Sequence, residues 1–341
     1  VRMAMGTWFQ SISAGLKDTC GYPFHLDKPK VYYYSGCNAE MLGELFDQQI
    51  ENLGGEDCVE CFVIDVSKWD AHVSSQALRL LNEYYDVYRP PRLVKKVLER
   101  RLNKTGITTH GVKYSVEGTV GSGDADTSCG NSLLHMSMVN RMLDRVEGYG
   151  IVQGDDCLLV VKKNQINTAA IVNWYRNHGF EAVTEKVEPD LAEFCSGFFW
   201  KTPDGRVYGP KPDRVLSKTF WCRTNLSRGK RLRWLKEVCI SLEKSCSYVP
   251  VLQVVVNRML ALLGGIHRLG RLYSSDRHKI VAHQYHSINN ATRKQMSKIY
   301  GIDVQQLVDL EQWLSSEIKT LPVMVSHPVL CSILKSPICS W

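Results

Sequence analysis

The sequence predicts a mixed α/β (α+β) fold that gives way to an all-helical remainder, and three observations carry that reading. Short apolar runs bounded by turn residues alternate with stretches of helical periodicity as far as about residue 210. Beyond Ser217 the pattern is largely helical and basic. The chain has 341 residues with the composition of an ordinary globular protein, enough for two or three subdomains rather than one, and no repeat or low-complexity segment interrupts it.

The elements follow in order. Residues 58 to 65 form an apolar strand ending at Asp65. Ser74 and Ser75 cap a helix to about Tyr88, with Leu78, Leu81, Tyr85 and Tyr88 at helical spacing, and Pro90-Pro91 stops it. A second helix, Arg92 to Leu102, ends near a turn at Asn103 to Gly106. The alternating stretch Ile107 to Glu117 reads as short strands, followed by the Gly-rich loop Gly118 to Gly123, and Asp126 or Thr127 starts a helix through about Arg145. Ile151-Val152 and Leu158 to Val161 read as two strands of a buried sheet joined by Gly154-Asp155-Asp156. Ile166 to His178 is a helix ended by Gly179, and a strand from Phe180 to Val187 follows. After the turn at Pro189-Asp190 comes a strand from Phe194 to Trp200, and Thr202-Pro203-Asp204-Gly205 turns it back through Arg206 to Tyr208. Val249 to Leu263 is a core helix, because Gln253, Asn257 and Arg258 interrupt it and no apolar run reaches the roughly eighteen residues that a bilayer span needs.

Charge separates the halves. The net charge of +7 is modest, but residues 201 to 300 hold 20 Lys plus Arg against 5 Asp plus Glu, a surplus of 15 that suits a polyanionic partner such as nucleic acid. Twelve scattered cysteines form no small-domain framework and read as reduced thiols; Cys58 and Cys61 make one Cys-x-x-Cys with no second pair. His278, His283 and His286 cluster on a basic segment without metal-site spacing. The chain starts at Val1 without a signal-like stretch and reads as a fragment or a processed product.

The chemistry concentrates between residues 65 and 156. Two like charges at the tip of an apolar hairpin repel and are desolvated unless a cation neutralises them, so Asp155-Asp156 points to a divalent metal. Asp65 closes a strand, so it can reach the same ion as the hairpin carboxylates if the strands are sheet neighbours, and Asp70 lies five residues on, where by itself it reads as a loop residue or helix N-cap. In Ser122-Gly123-Asp124-Ala125-Asp126-Thr127-Ser128-Cys129-Gly130-Asn131, the glycines allow close approach of the backbone to a ligand, and Thr127 and Asn131 share one helix face. Asn131 sits mid-helix, where its carboxamide needs a partner if buried.

The order Asp-x4-Asp, Ser-Gly-x3-Thr-x3-Asn, Gly-Asp-Asp resembles the palm motifs of RNA-dependent RNA polymerases from positive-strand RNA viruses. The continuation Asp70-Ala-His-Val-Ser74 is most similar to tombusvirus-like or nodavirus-like members. Phe194-Cys195-Ser196 resembles the primer-grip region, and Lys211-Pro212-Asp213-Arg214 through Lys218 a downstream basic stretch, so the likeness covers about residues 30 to 220. It implies a right-hand polymerase with an antiparallel palm sheet and helices. Residues 1–57 would be partial fingers or a fingers–palm connection, 58–215 the palm with a fingers insertion at about 90–118, and 216–341 a mainly helical thumb and tail.

The roles implied are those of two-metal nucleotidyl transfer from NTPs to an RNA 3′-hydroxyl. Asp65 and Asp155, supported by Asp156, would hold two Mg²⁺ or Mn²⁺ ions. Asp70 and Asn131 would contact the ribose hydroxyls, with Ser122 and Thr127 positioning the nucleotide and Gly123 giving the loop mobility. Lys186 matches the region where a lysine protonates departing pyrophosphate, though a surface lysine in Glu185-Lys186-Val187-Glu188 reads equally well. Lys211, Arg214, Lys218, Arg271 and Arg277 are candidate RNA contacts, with Tyr273 to His286 a template-contacting loop. Partners would be template and nascent RNA, NTPs and other viral replication proteins, in the host cytoplasm within membrane-associated replication complexes, with no transmembrane segment in this chain. One departure stands out: residues 1 to 57 hold only Arg2, Lys17, Lys28 and Lys30 where a basic fingers motif belongs, Lys28-Pro29-Lys30 being the nearest candidate. Two alternatives remain. A reverse transcriptase shares palm and metals but carries an aromatic residue where Gln153 stands, and an inactive polymerase-like RNA-binding scaffold fits the short N-terminal region and basic C-terminal half.

Overall fold

The computed structural model describes residues 2–22, 29–222, 225–267, 281–335 and 339–340. They fall into two compact units, one of Val1–Gly36 with Gln49–Pro189 and the other of Cys37–Gln48 with Asp190–Trp341. The units part at Pro189, ahead of the composition change near residue 210.

In the first unit α1 (Arg2–Cys20) leads to β1 (Val31–Tyr33), and the end of α2 (Ala39–Asn52) leads to β2 (Val59–Ser67). Next come α3 (Trp69–His72), α4 (Ser75–Val87), α5 (Arg92–Arg100), β3 (Asn103–Ile107), β4 (Lys113–Glu117) and α6 (Thr127–Met142). The hairpin β5 (Gly148–Gln153) and β6 (Asp156–Lys162), α7 (Thr168–Asn177) and β7 (Glu181–Val187) complete it. The main sheet runs β1-β5-β6-β2-β7, antiparallel except for the β1–β5 pair.

Period-two alternation decides which side chains meet the helices. Phe62, Ile64 and Val66 of β2 join Cys157, Leu159 and Val161 of β6 in one buried cluster with Phe9 and Leu16 of α1, Tyr85 of α4, Val139 of α6 and Tyr175 of α7. Each such fully buried Leu or Phe contributes about 2 kcal/mol over its exposed state. Asp65 takes the opposite face of β2 and is exposed. Helix α6 lies so close over β5 that a Cβ on Gly150 would sit 2.8 Å from Val139 Cγ1. Ser74 caps α4 by accepting from Ala77 N at 3.1 Å, as its position after the apolar strand suggests.

Two local readings are corrected. Asn103 to Gly106 is a strand, not a turn: Asn103 pairs with Glu117 and Ile107 with Lys113, while the chain reverses between Thr108 and Val112. Both faces of this ribbon are largely exposed, so no hydrophobic alternation marks it. The strand expected from Phe194 to Trp200 is broken after Phe194 by Cys195 and Ser196, at φ of 45° and 63°.

The second unit carries a three-stranded meander, β8 (Glu193–Phe194), β9 (Gly197–Thr202) and β10 (Gly205–Pro210). After it come α8 (Pro212–Arg214), a π-helical turn over Val215–Thr219, α9 (Arg228–Cys246), α10 (Leu252–Leu262), α11 (Asn290–Tyr300) and α12 (Val304–Glu317). The last elements are β11 (Met324–Val325), α13 (Pro328–Leu334) and β12 (Cys339–Ser340). Gln295 of α11 bonds Lys201 N at 2.8 Å and Phe199 O at 2.9 Å, so the meander docks on a helix ninety residues downstream. Reciprocal capping boxes start α11 at Asn289 and α12 at Asp303. Among the described residues no helix is long and apolar enough to cross a membrane.

Candidate active site

The Gly-Asp-Asp tripeptide turns the β5–β6 hairpin. Gln153 pairs with Asp156, so Gly154 and Asp155 form a two-residue turn, and Gly154 at φ 61° takes the left-handed conformation that such a turn requires. Ile64 pairs with Cys157, which brings Asp65, one step on, level with Asp156 on the sheet face away from the helices. Ser67 closes β2, and α3 then carries Asp70.

A cleft of about 740 Å³ opens here, lined among others by Lys68, Asp70, Ser122, Asn131, Asp155 and Asp156, with Thr127 also on its wall. Asp70 is held on both oxygens: Asn131 Nδ2 donates to Oδ1 at 2.7 Å and Ser122 Oγ to Oδ2 at 2.9 Å. This resolves the mid-helix asparagine, whose amide nitrogen finds its partner sixty-one residues earlier in the chain. Its Oδ1 is buried and finds no hydrogen-bond donor among the described residues. The Thr127 hydroxyl points to the carbonyls of Gly121 and Asp124, both at 3.0 Å, and so braces the loop. Gly123 stands at φ 94° with open space around it.

Burial pushes the Asp155 carboxyl above its usual range, and the negative charges of Asp70 and Asp65 push it further. Asp65 therefore lies within electrostatic reach of Asp155, although it does not line the cleft. Among the described residues neither Lys nor Arg forms an ion pair with Asp65, Asp70 or Asp155, and no group of three or more His, Cys, Asp or Glu is closed into a ligand shell. The donors are anionic oxygens within electrostatic reach of one another, a chemistry that suits a hard divalent cation.

Other expected site residues are placed elsewhere. Lys186 pairs with Phe62 across β2 and β7, three residues from Asp65 or about 10 Å along the strand, and its ammonium is ion-paired to the buried Glu60 carboxylate. It is not brought to the cleft, because the β2–β7 register points it at Glu60. In the second unit Lys211 donates to Glu193 at 2.8 Å and lies over the Phe198 ring, and Arg214 donates to Ser196 Oγ at 2.7 Å. Lys218 is exposed on the π-helical turn. Lys28, Arg271 and Arg277, with residues 273–280 of the expected template loop, lie outside the described residues.

Sequence reading missed the support of the turn. Ser128, Ser132 and His135 of α6 recur at i, i+4 and i+7, the spacing of one helix face, and that was the available signal. Ser128 Oγ accepts from Gln153 Nε2 at 2.8 Å, Ser132 Oγ from Gly154 N at 2.8 Å, and His135 Nδ1 meets Gly154 O at 2.9 Å. A second missed feature anchors the Gly-rich loop: buried Asp126 is ion-paired to the half-buried Arg101 and accepts from the buried Tyr85 Oη at 3.1 Å.

The model of the family described as viral RNA dependent RNA polymerase matches residues 33–316. The chain belongs to this family. It is 28% identical over 293 residues to the RNA-directed RNA polymerase of Pothos latent virus (isolate Pigeonpea/India), covering 81% of this chain and 38% of that protein. The RNA-directed RNA polymerase of Turnip crinkle virus is 29% identical over 197 residues, 55% of this chain and 25% of the relative. The putative RNA-directed RNA polymerase of Barley yellow dwarf virus (isolate PAV) is 25% identical over 313 residues, 82% and 34%. The chain thus spans well under half the length of these relatives, and the likeness to positive-strand RNA virus polymerases read from the motifs agrees with them.

Proposed function

We propose that this chain carries the catalytic centre for template-directed RNA synthesis, joining NTPs to an RNA 3′-hydroxyl during viral genome replication. The single observation that carries this reading is that Asp65 and Asp70, on separate elements, lie within electrostatic reach of Asp155 beside the Asn131–Asp70–Ser122 clamp. Asp65 and Asp155, with Asp156 in support, would hold Mg²⁺ or Mn²⁺. Two such ions, when bound, would lower the pKa of the 3′-hydroxyl and neutralise the leaving pyrophosphate.

The chain's own groups then orient the nucleotide. Asn131 Oδ1 is an acceptor without a donor, and Asp70 keeps free lone pairs while its carboxylate is fixed by two donors. A ribose 2′-hydroxyl, which both donates and accepts, fits between them better than a deoxyribose. Ser122 stands on the same wall, and Thr127 keeps its loop in place. The right-hand layout belongs to this reading, with a palm over residues 58–215, partial fingers before it and a thumb after it. So do RNA contacts at Lys211, Arg214, Lys218, Arg271 and Arg277, other viral proteins as partners, and membrane-associated complexes of the host cytoplasm as the setting.

Primer extension on an RNA template with Mg²⁺ or Mn²⁺ tests it, comparing this chain, a longer form and Asp155→Ala. Extension with NTPs that disappears in Asp155→Ala is expected. Equal use of dNTPs would point instead to a reverse transcriptase, and RNA binding without extension in either length would point to a scaffold.

A further inference from the structure

We infer that His135 is a positioning residue for the Gly-Asp-Asp turn, held in one tautomer by the hydrogen bonds at its two ring nitrogens. The imidazole is fully buried, with Nδ1 2.9 Å from Gly154 O and Nε2 2.6 Å from the Tyr175 hydroxyl. A carbonyl only accepts, so Nδ1 carries the proton. In the neutral ring Nε2 must then accept, and the Tyr175 hydroxyl donates to it. Donation therefore runs in one direction, from Tyr175 to His135 to Gly154.

The consequence for Asp155 is geometric. The peptide joining Gly154 to Asp155 is planar, so fixing the Gly154 oxygen fixes the plane in which the Asp155 nitrogen lies. The Gly154 N–H is held independently by Ser132 Oγ at 2.8 Å, so α6 grips both polar groups of the turn glycine. The ring also packs against Trp69. Trp69, the neighbour of Asp70, lies with its centroid 4.5 Å from that of His135 and stacks on Phe180 at 4.2 Å. One side chain thus links the elements that bear Asp70, Asn131 and Asp155, while its own hydrogen bonds go to Gly154 and Tyr175. Groups that orient a ligand-bearing segment in this way typically govern metal affinity or activity by about 10- to 100-fold.

Two substitutions separate positioning from packing. His135→Asn places an amide N–H where Nδ1 was and keeps the bond to Gly154, whereas His135→Gln reaches toward Tyr175 and leaves the carbonyl without its donor. In the metal-free full chain, hydrogen exchange over residues 150–160 is expected to quicken about tenfold in His135→Gln and to stay within about threefold of wild type in His135→Asn. Unchanged exchange in His135→Gln, or equal loosening in both variants, overturns the inference. Tyr175→Phe retains the aromatic packing and removes only the donor to Nε2. Should His135→Gln not fold, an increase of about threefold in this variant supports the chain and no increase overturns it.

The link to catalysis rests on the polymerase reading. There His135→Gln is expected to weaken Mn²⁺ binding about tenfold and to lower the kcat of primer extension with little change in nucleotide KM. If exchange responds as stated while the wild type neither binds Mn²⁺ nor extends a primer, the polymerase reading fails and the positioning role stands.

Discussion

Acid should weaken this protein through His135. Burial pushes the imidazole down from its ordinary 6.5 to about 4, against the opposing pull of the Gly154 carbonyl. The folded state therefore refuses a proton that the unfolded chain takes up. Its contribution to stability is complete above pH 6.5 and is lost as pH falls toward 4. Each pH unit inside that window costs about 1.4 kcal/mol, so the full loss is about 3 kcal/mol and the loss by pH 5 about 2 kcal/mol. Urea unfolding at pH 7 and pH 5, followed by tryptophan fluorescence, reads the difference, and His135→Asn supplies the reference because it does not titrate. Wild type should lose about 2 kcal/mol more than the variant across that interval. Equal losses would mean that the buried ring is protonated without penalty, and the donor direction assigned to it would be wrong.

Three further expectations concern charge. The raised Asp155 carboxyl destabilises the metal-free fold above its own titration and ceases to do so once protonated. Asp155→Asn should accordingly stabilise the metal-free protein at pH 7, a gap that closes on acidification; a lower melting temperature than wild type would refute this. Arg101→Met leaves Asp126 buried and unpaired and should cost about 3 kcal/mol, with Asp126→Asn in the same chain restoring much of it; a loss under about 1 kcal/mol would contradict a buried pair. Lys186→Met should leave primer extension within about twofold of wild type, because its ammonium faces Glu60; a drop beyond about tenfold would return Lys186 to proton transfer.

What the sequence made legible was local. The Gly-Asp-Asp turn is visible because apolar strand periodicity and turn chemistry meet within ten residues, and Ser74 announces its helix by standing directly after an apolar run. Asp65, Asp70, Ser122 and Asn131 were legible as a set by their order, yet the bonds from Asn131 and Ser122 to Asp70 depend on how β2 and α6 pack. Lys186 misled because its partner is diagonal across two strands, two residues from Phe62, which no spacing within its own strand encodes. Asn103 to Gly106 reads as a turn since an exposed two-stranded ribbon buries neither face. The division at Pro189 was hidden too, because Gln295 ties the meander to a helix far downstream. His135 sits among Leu133, Leu134 and Met136, where a histidine in an apolar helix gives no sign of the carbonyl it will meet.

The central claim is that oxygens from β2 and from the β5–β6 turn share a cation. Titration of the metal-free chain with Mn²⁺, monitored by electron paramagnetic resonance, tests it most directly in wild type, Asp65→Asn and Asp155→Asn. Saturable binding that falls at least about tenfold in each variant is the expected result, since each removes a ligand from the same ion. Binding that survives unchanged in either variant would show that the two carboxylates do not act on one metal.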